Sequence, residues 1–273
     1  MTTSEGDSFR RFASLPLYTA VNRRLVEMCG LRPSQTVVDL GAGTGAVTTL
    51  ILETMHPEGG EVVVVEPSES ALEIARRDLQ ERWGAVVRFA QGQAENLSRF
   101  VQRTADAVVF CNAIHLVEDK RRMMHEVSEA LRERGLFAFN STFFEGAQPP
   151  DTMPFYVMWV RRALRIFREE NPEMRRNKEE RVQARIQLSA DEYRRLLAEG
   201  GFDVQRMELC PVEMPLEGLE AISEYELFAK GALPGVPLAM AVDCLKRGVA
   251  DTFREQKLTS VTRNWLQVVA VKA

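Results

Sequence analysis

The chain has 273 residues, 45% hydrophobic and 27% charged, with 35 basic side chains against 39 acidic ones and a formal net charge of −4. That suits one or two globular domains with a sizeable core, and it excludes collagen-like, low-complexity and largely disordered chains. The acid excess, with a pI near 5.6, argues against a nucleic-acid partner. No apolar run approaches the ~20 residues of a bilayer span. The opening MTTSEGDSFRRFAS has no signal-peptide core. The four cysteines (Cys29, Cys111, Cys210, Cys244) are far apart and read as reduced thiols of a cytoplasmic protein. The three histidines (His56, His115, His125) have no zinc-ligand spacing with them, so no metal is expected.

Up to residue 144 the chain alternates strand and helix signals. TVVDL (36–40) is a short β-branched run, followed by a helix over 45–55 that Pro57 stops. EVVVVE (61–66) is apolar without alternation, the pattern of a strand covered on both faces. Ser68 caps a helix that Gly84 ends, and VVRFA (86–90) and ADAVVFCN (105–112) are further strands. Asp119 opens a helix with Met123, Met124, Val127 and Leu131 inward and Gly135 closing it. A fifth strand spans 136–144. The rhythm then breaks. Phe155, Tyr156, Trp159, Val160, Ala163, Leu164 and Phe167 form one helical stripe, and nine basic residues stand against five acidic ones over 161–185. Ser189–Glu199 is a helix, Asp203–Cys210 a strand, 219–256 a second helical insertion and Asn264–Val271 a final strand.

Strands joined through helices imply right-handed crossovers and a parallel sheet, with a ligand crevice beyond the strands' carboxyl ends. The expected fold is α/β: a Rossmann-like, seven-stranded, mostly parallel sheet with helices on both faces and helical lid insertions. The expected segments are an N-terminal helical lid at 1–34, a core at 35–144 and a helical insertion at 145–187. The core resumes at 188–218, a second insertion occupies 219–256, and the last core strand lies at 257–273.

Gly41-Ala42-Gly43-Thr44-Gly45 joins the first strand to its helix, where glycines permit a tight turn and close approach to a ligand. Its G-x-G-x-G spacing departs from the dinucleotide fingerprint, which would need glycine at Ala46, and no G-K-[ST] follows to make a P-loop. Glu66 ends the second strand, 21 residues after Gly45, where an acceptor-only carboxylate can take both hydroxyls of a ribose. After the third strand, in GQAENL, the Gln93 side chain could recognise an adenine N6 amine and the Ala94 N–H its N1.

VVDLGAGTG, VVVVEPS, GQAENL, DAVVFCNAIHLVED and LRERGLFAFN resemble, in order and spacing, the motifs of class I S-adenosyl-L-methionine-dependent methyltransferases. The resemblance covers about 35–144. It implies S-adenosyl-L-methionine as cofactor, with Tyr18, Asp39, Gly41, Ala42, Gly43, Gly45, Glu66, Pro67, Gln93, Ala94, Glu95 and Asn112 around it. Asp39 would lie near the methionyl amine and Asn112 beside the methionine portion. Gln93 departs from the family's more frequent acid. Tyr18 lies in a segment that family members use as a lid, and is expected near the cofactor carboxylate or the substrate, the alternative being a packed helix residue.

His115, three residues beyond the fourth strand, is the candidate general base. In polyketide-synthase C-methyltransferase domains a histidine at a similar place pairs with a glutamate ending the fifth strand; here Asn140 and Ser141 stand instead. Phe155 and Trp159 join Tyr18 and His115 as candidate substrate contacts, although the aromatic stripe reads first as core between lid and sheet, with part of it walling an apolar pocket as the alternative. The basic 161–185 stretch reads as a solvated helix face, or as a site for an anionic substrate group or an acidic acyl carrier protein. The expected activity is methyl transfer to carbon or oxygen of a small, apolar or amphipathic acceptor by a monomer or homodimer without integral membrane association. The alternatives are an NAD(P)-dependent oxidoreductase and a non-catalytic cofactor-binding partner subunit.

Overall fold

A computed structural model describes residues 11–56, 58–174 and 187–273. They fall into two compact units. One comprises 16–144, 188–210 and 265–273 and holds most of the sheet; the other takes in 11–15, the described part of 145–187 and 211–264.

In the sheet unit, α1 (Pro16–Met28) precedes β1 (Thr36–Leu40), α2 (Ala46–Met55), β2 (Glu61–Glu66), α3 (Glu69–Trp83) and β3 (Val87–Gln91). A 3₁₀ turn at Ala94–Arg99 leads to β4 (Ala105–Cys111), a second turn at Ile114–Leu116, α4 (Lys120–Ala130) and β5 (Leu131–Ser141). Later come α6 (Ala190–Glu199), β6 (Phe202–Pro215) and β7 (Ser260–Lys272), the two strands at which the chain passes between the units. The seven strands follow the order β3-β2-β1-β4-β5-β7-β6. β1 through β5 pair in parallel and β7 runs antiparallel to β5. The expected mostly parallel, seven-stranded Rossmann-like sheet is therefore the one observed.

Local chemistry sets the element ends. Val62 to Val65 are wholly buried although successive side chains point to opposite faces, so both faces of β2 are covered. Ser68 caps α3 by accepting from the Ala71 N–H, and Asp119 caps α4 by accepting from the Arg122 N–H. Ser189 and Glu192 form a capping box at α6. Strand order reverses between β1 and β4, which puts the ligand crevice of such a sheet at their carboxyl ends.

One boundary departs from the sequence reading. α4 stops at Ala130, and Leu131 already belongs to β5 rather than to the helix. Leu131 pairs with Ala105, Arg132 forms an ion pair with Asp106 at 2.6 Å, and Arg134 takes a φ of 63° just before Gly135. The register shifts between Ala105 and Ala107, so Gly135 lies in a bulge within the strand and not at a helix end.

The helical unit contains α5 (Met153–Glu170), α7 (Leu216–Ser223), α8 (Glu226–Ala232) and α9 (Leu238–Gln256). α5 and α9 cross closely at Gly248, where an added Cβ would lie 3.0 Å from the Ala163 nitrogen. Trp159 is fully buried and donates from Nε1 to the Leu245 carbonyl at 2.7 Å; its ring lies 5.3 Å from that of Phe228. Phe155 packs edge-on to Phe253 at 5.6 Å. The aromatic stripe of α5 is thus the core of this unit, the packing alternative for Phe155 and Trp159. Pro57 and the last five basic residues of the 161–185 stretch lie outside the described residues. No helix among the described residues is long and apolar enough to cross a membrane.

Candidate functional site

The glycine turn after β1 is built for close approach. Gly41 and Gly43 adopt φ values of 65° and 55°, which side chains other than glycine rarely enter. The Gly41 and Ala42 N–H groups both donate to the Val65 carbonyl at 2.8 and 3.2 Å, tying the turn to β2. A Cβ at Gly41 would sit 2.9 Å from the Phe110 ring, whereas one at Gly43 would meet no protein atom within 4 Å. Gly41 is therefore small because the fold crowds it, and Gly43 faces open space.

Glu66, 8% exposed at the end of β2, is fixed from both sides. Its Oε2 accepts the Gly43 N–H at 2.8 Å and its Oε1 accepts the Ser68 N–H at 3.0 Å. Burial pushes the carboxyl above its ordinary value, and the two N–H bonds pull it back. Each oxygen keeps a second lone pair, so the oriented carboxylate can still accept two hydroxyls. Pro67, next in the chain, is exposed and its carbonyl accepts from Gln91 Nε2.

Asp39 is 1% exposed and accepts from the Thr48 hydroxyl at 2.6 Å. Burial, with Glu66 nearby, pushes its carboxyl up to about 7 against the Thr48 bond. No cation pairs with it among the described residues. A buried carboxylate in that state suits a positively charged ligand group such as an ammonium. Tyr18 of α1 is buried beside this group; burial, Cys111 and Asp39 together push its hydroxyl above the usual tyrosine range.

The loop after β3 is held by α4. Arg122 donates to the Glu95 carbonyl at 3.0 Å and to Asn96 Oδ1 at 2.9 Å, while Glu126 accepts from the Ser98 N–H and hydroxyl. Ala94 is buried, and Gln93 stands exposed at the head of the turn.

At the carboxyl ends of β4 and β5 sits a buried amide lock. Asn112, at a φ of 50°, donates from Nδ2 to Asn22 Oδ1 at 3.2 Å, and its Oδ1 accepts the Trp265 indole N–H at 2.8 Å. Asn140 donates from Nδ2 to the same Asn22 oxygen at 2.8 Å, and its Oδ1 accepts the Asn112 backbone N–H at 3.0 Å. The indole and the backbone N–H can only donate, so all three amide orientations are determined. Asn22 Nδ2 is then a buried donor with no acceptor among the described residues.

Just past the lock, His115 Nδ1 lies 3.1 Å from Ser141 Oγ, and its ring lies 4.5 Å from that of Phe143. Tyr18, Asp39, Gly41, Ala42, Gly43, Gly45, Glu66, Pro67, Gln93, Ala94, Glu95, Asn112 and His115 all belong to the sheet unit, whereas Phe155 and Trp159 belong to the helical one. His125 is exposed on α4, and His56 is exposed where it ends α2. The sequence reading missed Asn22, Trp265 and the role of Ser141. An asparagine inside the helical stretch PLYTAVNRRLVEM looks like a solvated position, and only the fold reveals that it is fully buried.

Residues 37–135 match the family model of a methyltransferase domain. The "probable S-adenosylmethionine-dependent methyltransferase CRG1" of Saccharomyces cerevisiae is 34% identical over 106 residues, covering 38% of this chain and 35% of that protein. The ubiquinone/menaquinone biosynthesis C-methyltransferase UbiE of Legionella pneumophila is 25% identical over 147 residues, covering 52% and 58%. The chain thus spans between 35% and 58% of the length of these curated relatives. Among solved structures, the YcgJ protein of Bacillus subtilis matches with a TM-score of 0.57 at 17% identity, covering 93% of this chain and 98% of that one. The geranyl diphosphate C-methyltransferase of Streptomyces coelicolor A3(2) matches with a TM-score of 0.55 at 17% identity, covering 94% and 76%. At such identities the structural likeness is one of fold.

Proposed function

We propose that this chain, whose residues 37–135 match the model of a methyltransferase domain, is a class I S-adenosyl-L-methionine-dependent methyltransferase that binds S-adenosyl-L-methionine at the carboxyl ends of β1, β2 and β4 and methylates a small organic acceptor at carbon. The observation that carries the reading is the Glu66 carboxylate, oriented by the Gly43 and Ser68 N–H groups with an acceptor position left on each oxygen. When bound, the cofactor supplies a methyl group already activated by its sulfonium. The chain's own residues bind and align. Glu66 holds the ribose diol, the open face of Gly43 admits the ligand against the backbone, and Asp39 offers a carboxylate to the methionyl ammonium. Gln93, Ala94 and Glu95 border the adenine, while Tyr18 and Asn112 enclose the methionine end. Alignment of two reactants in a dry site supplies up to roughly 7–11 kcal/mol, enough to make it the main term for so activated a donor.

Carbon as the methylated atom rests on the names of the UbiE relatives and of the geranyl diphosphate C-methyltransferase. Calorimetry with S-adenosyl-homocysteine and with NADH tests cofactor choice. Transfer of labelled methyl from S-adenosyl-L-methionine to a panel of hydroquinones, phenols and prenyl diphosphates tests the acceptor class. Tight binding of S-adenosyl-homocysteine, indifference to NADH and label on carbon are expected. Binding of NADH with no response to S-adenosyl-homocysteine overturns the reading in favour of an oxidoreductase.

A further inference from the structure

We infer that Thr48 is the positioning residue for Asp39: its hydroxyl, turned out of α2 toward β1, holds that carboxylate in the charged state which a ligand ammonium needs. The inference deepens the methyl-transfer reading above and rests on it for the identity of the ligand.

The start of α2 explains why Thr48 bonds where it does. The first turn of a helix leaves backbone N–H groups without partners inside the helix, and a side chain at the N-cap normally satisfies one of them. Here the N-cap is Gly45, at a φ of 87°, which has no side chain to offer. A Cβ there would lie 3.0 Å from Leu79 Cδ1 and 3.3 Å from the Ala75 Cβ, so a capping serine, threonine or aspartate would be both strained and crowded. Asp39 serves instead, from the strand before the glycine turn. Thr48 is fully buried and donates from its hydroxyl to Asp39 Oδ2 at 2.6 Å, and its backbone N–H also favours the ionised carboxylate. Thr49, next in the helix, shows the ordinary alternative: its hydroxyl donates back to the Gly45 carbonyl at 3.1 Å.

The titratable groups around Asp39 give its charge no support. Glu66 at the end of β2 repels it. The Cys111 thiol at the end of β4 and the Tyr18 hydroxyl of α1 are neutral neighbours whose own ionisation Asp39 opposes. Burial works in the same direction as Glu66. Thr48 is therefore the residue that keeps ionisation within reach of neutral pH. A hydrogen bond to an ionised group is roughly twice as strong as one to a neutral group, so losing the hydroxyl penalises the carboxylate more than the acid. A carboxylate has about four lone-pair positions and Thr48 fills about two, so capacity remains for an ammonium.

Carbon-13 NMR of the Asp39 carboxyl, recorded on the ligand-free full chain from about pH 5 to about pH 9 and assigned with Asp39→Asn, reads the ionisation midpoint. The unmodified chain should titrate at about 7. Thr48→Val keeps the side chain's shape without the hydroxyl and should raise the midpoint by roughly one pH unit; Thr48→Ser should bring it back. Thr48→Ala should shift it as valine does and stands in if valine disturbs folding. An unchanged midpoint on loss of the hydroxyl overturns the inference. Calorimetry with S-adenosyl-homocysteine reads the consequence. At about pH 6 the valine variant should bind roughly tenfold more weakly than the unmodified chain, and the gap should close to within about twofold at about pH 8.5. 5′-Methylthioadenosine, which has the adenosine and the thioether but no ammonium, should bind both chains alike throughout. A loss of equal size at every pH, or one shared by 5′-methylthioadenosine, would mean damaged packing and overturns the inference. Failure of the unmodified chain to bind S-adenosyl-homocysteine would instead defeat the methyl-transfer reading, and the carboxyl midpoint would still decide whether Thr48 governs Asp39.

Discussion

Glu66 and Gly43, 23 positions apart in the chain, meet at 2.8 Å, with the backbone N–H of the glycine turn donating to the carboxylate that ends β2. The contact links the two parts of the crevice with the clearest sequence signature, so a change at either should be felt at the other.

Glu66→Ala should weaken S-adenosyl-homocysteine binding by roughly 1.5–3 kcal/mol, the range for hydrogen bonds to a charged group. Glu66→Gln should do nearly as much, because its amide nitrogen cannot accept from Gly43 or Ser68. Isothermal titration of both variants, with circular dichroism to confirm folding, checks this; wild-type affinity in either would remove ribose binding from Glu66.

Gly41→Ala and Gly43→Ala should separate stability from binding. Both carry backbone strain of about 1–2 kcal/mol from a left-handed φ. At Gly41 the new methyl also strikes Phe110, so thermal unfolding should shift most there. At Gly43 it projects into open space, so ligand affinity should fall further than stability. A melting scan and a titration on each variant decide the order.

Asp39 should make cofactor binding depend on pH. Its carboxyl, raised to about 7, is mostly protonated below that value in the free protein. A bound ammonium favours the ionised form, so binding releases a proton, and affinity should rise by up to about tenfold per pH unit until about pH 7 and then level off. The same raised value means that ionising Asp39 works against folding: its contribution falls as pH climbs from the unfolded carboxylate range through about 7. Asp39→Asn should flatten the affinity profile and abolish the proton release seen by calorimetry in buffers of different ionisation enthalpy.

Asn22→Ala should cost about 1–3 kcal/mol for each donor it strands, those of Asn112 and Asn140. Trp265→Phe, which leaves only the Asn112 oxygen wanting, should cost less in the same denaturant titration. The reverse order would mean that the lock does not hinge on Asn22.

Much of this was legible before the fold was known, because local rules govern it. The glycine spacing, the acid at the end of an unalternating apolar strand, the cap at Ser68 and the helix starts at Asp119 and Ser189 each depend on a few neighbouring residues. What escaped depends on distant ones. Asn140 and Ser141 looked like a broken catalytic pair in sequence, yet in the fold one locks the β4 end and the other meets His115. The aromatic stripe of α5 has the composition of a binding wall and the environment of a core, and periodicity cannot tell these apart. Leu131 fitted the helical stripe until sheet pairing with Ala105 claimed it.

The indole of Trp265 reaches Asn112 across 153 positions of sequence. During synthesis the turn that carries His115 is therefore made long before its anchor leaves the ribosome. A nascent chain arrested short of Trp265 should display that turn as a protease-sensitive loop on an otherwise pairing-competent β1–β4 platform, and release of the remaining residues should silence the cleavage.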